Sequence, residues 1–213
     1  MQRLDRFLSE AGVASRRELR AIIRAGRVRV NDVPASAPEQ KIDETSDRVT
    51  LDGEAVGPRG PVVLLLHKPT GYVTSTDDPR DRTVMELIPE RYRKFGVTPV
   101  GRLDKETEGL LLLTNDGELA NRLTHPSYEI RKTYVARLHG EVKPGVKRTL
   151  MNGIELEDGP IKVDSFRIVD TYGDITTVEI VVHEGRNRLV RRMMEAVGYP
   201  VRELVRTGFG PIT

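Results

Sequence analysis

Apolar residues in "RLDRFLSEAG" fall at Leu4, Phe7, Leu8 and Ala11, the i, i+3, i+4, i+7 spacing of one helix face. Gly12 ends that pattern. "SRRELRAIIRAG" repeats it with Leu19, Ile22 and Ile23. Ser15 opens this second helix with Glu18 three residues later, a capping-box spacing, and Gly26 closes it. In "RVRVND" the period drops to two: Val28 and Val30 face one way, Arg27 and Arg29 the other, and Asn31-Asp32 turns the chain. "GPRGP" (57–61) reads as a linker. Beyond it strands and helices alternate. "VVLLL" (62–66) is an apolar strand, and "TVMELIPE" is a short helix with Thr83 and Glu86 in capping-box spacing. "LLLLT" (110–114) is a strand buried on both faces, and "NDGELANRL" turns into a helix. "KTYVARL" (132–138) is a strand with Tyr134, Ala136 and Leu138 on one side. Residues 143–152 form a helix, "IKVDSFRIVD" and "TTVEIVV" (176–182) are strands, and "RNRLVRRMMEAVG" is a helix capped by Gly198. Strands outnumber short helices, which predicts an α+β fold with a mixed, largely antiparallel sheet.

A length of 213 residues, 38% hydrophobic and 31% charged, allows one medium domain or a small one plus a larger one. The apolar run Val62 to Leu66 is too short to span a membrane, and "MQRLDRFLSE" has no secretory apolar core. The chain has no cysteine, which excludes disulfides, thiolate catalysis and cysteine-held metals and fits the cytosol. Histidines 67, 125, 139 and 183 are widely spaced, so no metal site is expected. No P-loop or GxSxG appears, and in the calcium-loop-like stretch 43–54 Arg48 stands where the turn glycine is required.

The net charge of +2 hides two basic clusters. Residues 1–33 hold eight arginines against four acids, and residues 184–206 hold six against three. Arg16, Arg20 and Arg24 recur every four residues on one helix face, which suits either phosphates or solvent. In the late helix Leu189, Val190, Met193, Met194 and Val197 make an apolar stripe. Arg191 sits at its edge, about 100° round from Val190. In "GRLDKETEGLLLLTNDGELA", Asp104, Glu106 and Glu108 alternate along one side. A paired-carboxylate glycosidase is one reading, but such pairs usually come from separate segments. Glu106 and Glu108 read as solvated loop acids. Asp104, flanked by Arg102 and Leu103 and running into the leucines, stands apart.

These stretches carry a resemblance. "GRLDKETEGLLLLTNDGELA" resembles the catalytic motif of the bacterial ribosomal RNA pseudouridine synthases of the Rsu/Rlu group. "LLHKPTGYVTST" resembles its Lys-Pro-x-Gly motif, "RKTYVARLHG" its Lys-x-Tyr strand, and "HEGRNRLVRRMMEAVG" its late arginine motif. "GIELEDGP" resembles a segment of the large-subunit enzymes, as do "ELANRLTHP" and "EGRNRLVRRM". The helix–helix–strand start resembles the S4 RNA-binding domain. The implied domains are an S4-like module at 1–56, a linker at 57–61 and a synthase domain at 62–213. Two positions depart from the pattern: Glu108 stands where many members carry a small residue, and His67 where others carry asparagine or tyrosine.

The resemblance implies isomerisation of uridine to pseudouridine in 23S ribosomal RNA, without cofactor or metal. The small-subunit (16S) enzyme, a non-catalytic S4-type assembly factor and a nucleoside-directed hydrolase remain as alternatives. By resemblance Asp104 is the nucleophile, attacking C1′ or acting through a glycal-type path. Arg191 is its expected partner, holding the carboxylate ionised, since a guanidinium keeps its proton. Tyr134 is expected to stack on the flipped uracil and serve proton transfer at C5. Expected RNA contacts are Arg102, Lys68, Arg186, Arg188 and Arg192, with Arg16, Arg20 and Arg24 in the S4-like module. The chain is expected to act in the cytoplasm as a monomer, with no membrane partner.

Overall fold

A computed structural model describes residues 1–57 and 60–213; Pro58 and Arg59 of the expected linker lie outside the described residues. The chain forms two compact units: residues 1–64 with 85–98 and 113–117, and residues 65–84 with 99–112 and 118–213.

In the first unit the helices Leu4–Glu10 and Arg16–Arg24 form where the period predicted. Ser15 and Glu18 make both bonds of the capping box. Leu4, Leu8, Leu19 and Ile23 are buried with Val28 and Ile42 in one core; each such aliphatic side chain contributes roughly 1.5–3 kcal/mol of hydrophobic stabilisation. Val28–Val30 lies in a four-stranded sheet ordered Val33–Pro34, Val28–Val30, Val49–Leu51, Glu54–Val56. Asn31 and Asp32 both take positive φ, 51° and 65°, the backbone of a tight hairpin turn.

The second unit is built on one sheet. Its strands run in the order Ser165–Tyr172, Ile175–Val182, Lys132–His139, Val201–Phe209, Glu108–Thr114, Val63–Lys68. The first four pair antiparallel. Glu108–Thr114 pairs parallel to Val201–Phe209 through Val205↔Glu108 and Arg206↔Gly109. This is the mixed, largely antiparallel sheet of an α+β protein. Gly109 permits the parallel contact: at φ 106° a Cβ there would lie 2.3 Å from the Arg206 carbonyl oxygen. Helices Gly145–Asn152 and Leu189–Ala196 bury Leu150, Val190, Met193 and Met194 against Leu138, Phe166 and Ile180.

Strand Val63–Lys68 forms as expected, at the sheet edge, with Leu65 60% exposed. Two local expectations change. The stretch read as one strand at 161–170 divides into a short hairpin strand Gly159–Ile161 and the strand Ser165–Tyr172. The late helix begins at Leu189, three residues after the expected Arg186, because Arg188 takes a left-handed φ of 48° that stops helix from propagating backwards.

Candidate active site

A cavity of about 580 Å³ opens in the second unit. Its walls come from the loop 101–107, the strands Lys132–His139 and Val201–Phe209, and the segment 184–190 that leads into the late helix, with Thr74 and Ser75 beside them. Asp104 is half-buried in this wall. Its carboxylate makes no hydrogen bond or ion pair among the described residues.

The backbone under Asp104 is held from several directions. Lys68 is 0% exposed, and its Nζ donates to the carbonyls of Pro69 at 3.0 Å, Asp104 at 3.1 Å and Thr107 at 2.8 Å. Burial pushes this ammonium down to about 8, with Asp104, Glu106 and Glu108 pulling the other way. Thr74 Oγ1 donates to the Leu103 carbonyl at 2.7 Å and accepts from the Leu103 amide at 3.1 Å, imitating a strand neighbour. The Thr107 amide donates to the Asp104 carbonyl at 3.0 Å. Position is thus imposed on the carboxylate through its main chain, while its oxygens stay open to the cavity.

Tyr134 also lines the cavity, packed against the buried cluster of Val84, Leu103 and Leu111. Its hydroxyl has no hydrogen-bond partner among the described residues. A carboxylate and a phenol that share one cavity and lack internal partners can add to an electrophilic carbon and move a proton.

Tyr134 lies opposite Arg206 in the strand register, and Lys132 opposite Phe209. Arg206 is 3% exposed; its Nε donates to the Leu110 carbonyl at 2.8 Å, and its guanidinium lies over the Phe209 ring, 4.9 Å from the centroid. Its Nη2 is buried with no partner. Lys132 Nζ donates to the His183 carbonyl at 2.6 Å, and burial, then Arg206, push this ammonium below its ordinary value. Arg206, Lys132 and Thr74 escaped the sequence reading. "VRELVRTGF" gives little signal for Arg206, because register shifts break its alternation.

Other expected site residues are placed differently. Lys68 cannot touch RNA, because it is wholly buried beneath the Asp104 loop. Arg191 does not pair with Asp104. Its guanidinium donates to the carbonyls of Glu106 at 3.0 Å and Val201 at 3.2 Å, and its Nε is buried without a partner. Burial and the nearby Arg188 push Arg191 below its ordinary value, while Asp104 and Glu106 act in the opposite sense. Its charge reaches Asp104 through space, and its bonds fasten the loop to the last strand.

Arg186 bonds Glu184 and the Asp158, Gly159 and Pro160 carbonyls, and Arg192 bonds Asp158 at 2.8 Å. Together they brace the hairpin Ile154–Ile161 and are not free for phosphates. They hold the Asp158 carboxyl down to about 2, Arg192 contributing most. Arg188 is exposed and pairs with Glu106 at 3.1 Å, beside the cavity it lines. Arg102 is exposed on the cavity wall without an ion pair among the described residues. In the first unit Arg16, Arg20 and Arg24 are all exposed. Arg16 and Arg20 line a groove of about 530 Å³ with Arg3, Arg6, Arg17 and Asp5; Arg24 stands outside it.

Residues 62–196 match the family model described as RNA pseudouridylate synthase, and residues 2–49 match the S4 domain. An uncharacterized RNA pseudouridine synthase of Aquifex aeolicus is 46% identical over 99% of this chain and 84% of its own. The ribosomal large subunit pseudouridine synthase B of Bacillus subtilis is 42% identical over 97% of this chain and 84% of its own. The crystal structure of a pseudouridylate synthase superposes with a TM-score of 0.66 at 29% identity, covering 99% of this chain and 89% of that one. A family match over residues 62–196, with relatives this similar end to end, leaves one assignment: the chain belongs to the RNA pseudouridylate synthases and acts on RNA.

Proposed function

We propose that this enzyme isomerises a uridine of large-subunit (23S) ribosomal RNA to pseudouridine, with Asp104 as the nucleophile. The observation that carries the proposal is an unpaired carboxylate facing a cavity of about 580 Å³ while Lys68, Thr74 and Thr107 hold its backbone. A catalytic carboxylate with no internal partner is free to add to the sugar or to take its proton and then leave again. Tyr134, with its open hydroxyl, stacks on the everted base and carries the proton at C5. Arg191 supports the site by holding the Glu106 carbonyl and by its charge. The large-subunit substrate is supported by the relative from Bacillus subtilis, named for it.

The same proposal divides the chain into an S4 module at 1–56 that grips RNA and a synthase domain at 62–213. Exposed Arg16, Arg17 and Arg20 offer phosphate contacts that give affinity without choosing sequence. The enzyme works as a cytoplasmic monomer; no helix among the described residues is long and apolar enough to cross a membrane.

The test is to incubate wild type and Asp104→Asn with transcribed 23S and 16S RNA and map pseudouridines. Wild type is expected to modify 23S RNA alone. Asp104→Asn is expected to bind the RNA and form none. Full activity in Asp104→Asn removes the nucleophile assignment, and modification of 16S RNA instead moves the substrate to the small subunit.

A further inference from the structure

Two cations meet in the sheet wall of the cavity with no ion pair among the described residues, though Asp164 acts on Lys132 through space. Arg137, Arg167, Arg186, Arg188 and Arg192 in the same unit each have an acidic partner. Arg206 and Lys132 have none among the described residues, although both are withdrawn from water. A buried guanidinium with an unanswered N–H is costly, and stacking on Phe209 offsets only part of that cost. Both cations line the cavity, and the strand register sets Arg206 directly across from Tyr134.

We propose that Arg206, with Lys132 beside it, binds the carbonyl edge of the target uracil and stabilises the negative charge the base carries once its bond to the ribose is broken. This rests on the function proposed above. When C1′–N1 breaks, the bonding electron pair leaves with N1 and spreads onto O2 and O4. The base stays anionic until C5 bonds to C1′ and releases Asp104; C5 then gives its proton to a base and N1 takes one up, so the isomer gains and loses no net proton. Arg206 donates an N–H to one of those oxygens and transfers no proton. Aimed where charge develops, in a site screened from water, such a donor favours the broken-bond state over the bound uridine.

The base is the better occupant than a phosphate. An everted nucleotide enters base first, and its phosphates trail at the mouth. Arg206 is almost wholly buried, on the same register as the tyrosine expected to stack on that base. Donors at that edge also disfavour cytosine, whose amino group is itself a donor.

The experiment measures single-turnover pseudouridine formation and RNA affinity for wild type, Arg206→Gln and Lys132→Met. Substrates carry uridine, 2-thiouridine or 4-thiouridine at the target, since sulfur is a weaker acceptor than oxygen. Arg206→Gln is expected to lower the rate about 100-fold or more while the Kd stays within about threefold. Lys132→Met is expected to lose about tenfold. One of the two sulfur substitutions is expected to slow the wild type and to cost nothing further in Arg206→Gln. The wild-type measurement needs no variant, so it stands even if Arg206→Gln fails to fold.

The proposal is overturned if both sulfur substrates react as fast as uridine on wild type, or if the sulfur penalty survives unchanged in Arg206→Gln. It is also overturned if Arg206→Gln only weakens RNA binding and reduces the salt slope by about one, the signature of a phosphate contact. Those results leave an active wild type and the proposed function intact. A wild type that makes no pseudouridine in any ribosomal RNA removes the function and this inference together.

Discussion

Lys68→Met tests whether the Asp104 carboxylate, the proposed nucleophile, is placed through its main chain. Methionine keeps most of the side-chain length and loses the ammonium that bonds the carbonyls of Pro69, Asp104 and Thr107. Bonds from a charged donor contribute about 1.5–3 kcal/mol each, so the gross loss is roughly 5–9 kcal/mol. Against it stands the several kcal/mol that keeping an ammonium out of water costs. The net loss of stability is therefore expected to be about 1–3 kcal/mol. Activity has no such offset. A loop that drifts by about 1 Å costs on the order of 100-fold in rate. The assay is single-turnover pseudouridine formation on ribosomal RNA well below both melting midpoints, with thermal melts and RNA affinity measured in parallel. A rate within about threefold of wild type in a Lys68→Met enzyme that still melts cooperatively would refute the positioning argument.

The same lysine separates stability from activity as pH rises. Its folded value of about 8 lies below its ordinary 10.5, so the unfolded chain binds the proton more tightly. Between those values the unfolded state holds more protons, and this group's contribution to stability rises with pH. A neutral amine has two N–H donors for three carbonyls, so the rate is expected to fall above about pH 8 while the protein does not melt any earlier on this group's account.

Gly109→Ala would set a Cβ against the Arg206 carbonyl at a positive φ, and is expected to destabilise by more than about 3 kcal/mol in denaturant titrations; a loss below about 1 kcal/mol would mean the parallel pairing is not tight. Thr74→Val removes both bonds to Leu103 and is expected to lower the single-turnover rate about tenfold, with RNA affinity unchanged and Thr74→Ser restoring the rate. Asp158→Asn loosens the brace made by Arg186 and Arg192. Because the Asp158 carboxyl is depressed to about 2, the difference in melting temperature from wild type is expected to be constant above its ordinary 3.8 and to vanish as pH falls through about 2.

The sequence exposed what local chemistry writes and hid what distant pairing decides. The capping box at Ser15 and Glu18, the Asn31-Asp32 turn and the stripe at Leu189, Val190, Met193 and Met194 all appear in the structure, because each depends on neighbours within a few residues. The strand Val201–Phe209 was missed: a register shift opposite Thr133/Tyr134 breaks its alternation, and charged Arg202 and Glu203 dilute its apolar signal. The arginines misled for a related reason. Nothing near Arg186 or Arg192 reveals Asp158, and nothing near Arg191 reveals that its bonds go to two carbonyls. Lys68 reads as a surface charge until strand Val63–Lys68 carries it under the Asp104 loop.

Val201–Phe209 lies between Lys132–His139 and Glu108–Thr114, joining two parts of the sheet that otherwise share no described ladder. During synthesis the sheet therefore cannot close until Val201–Phe209 has been made, and such long-range closure is slow. Arg206 arrives on that same segment, so a nascent polypeptide not yet extended past it has no completed pocket.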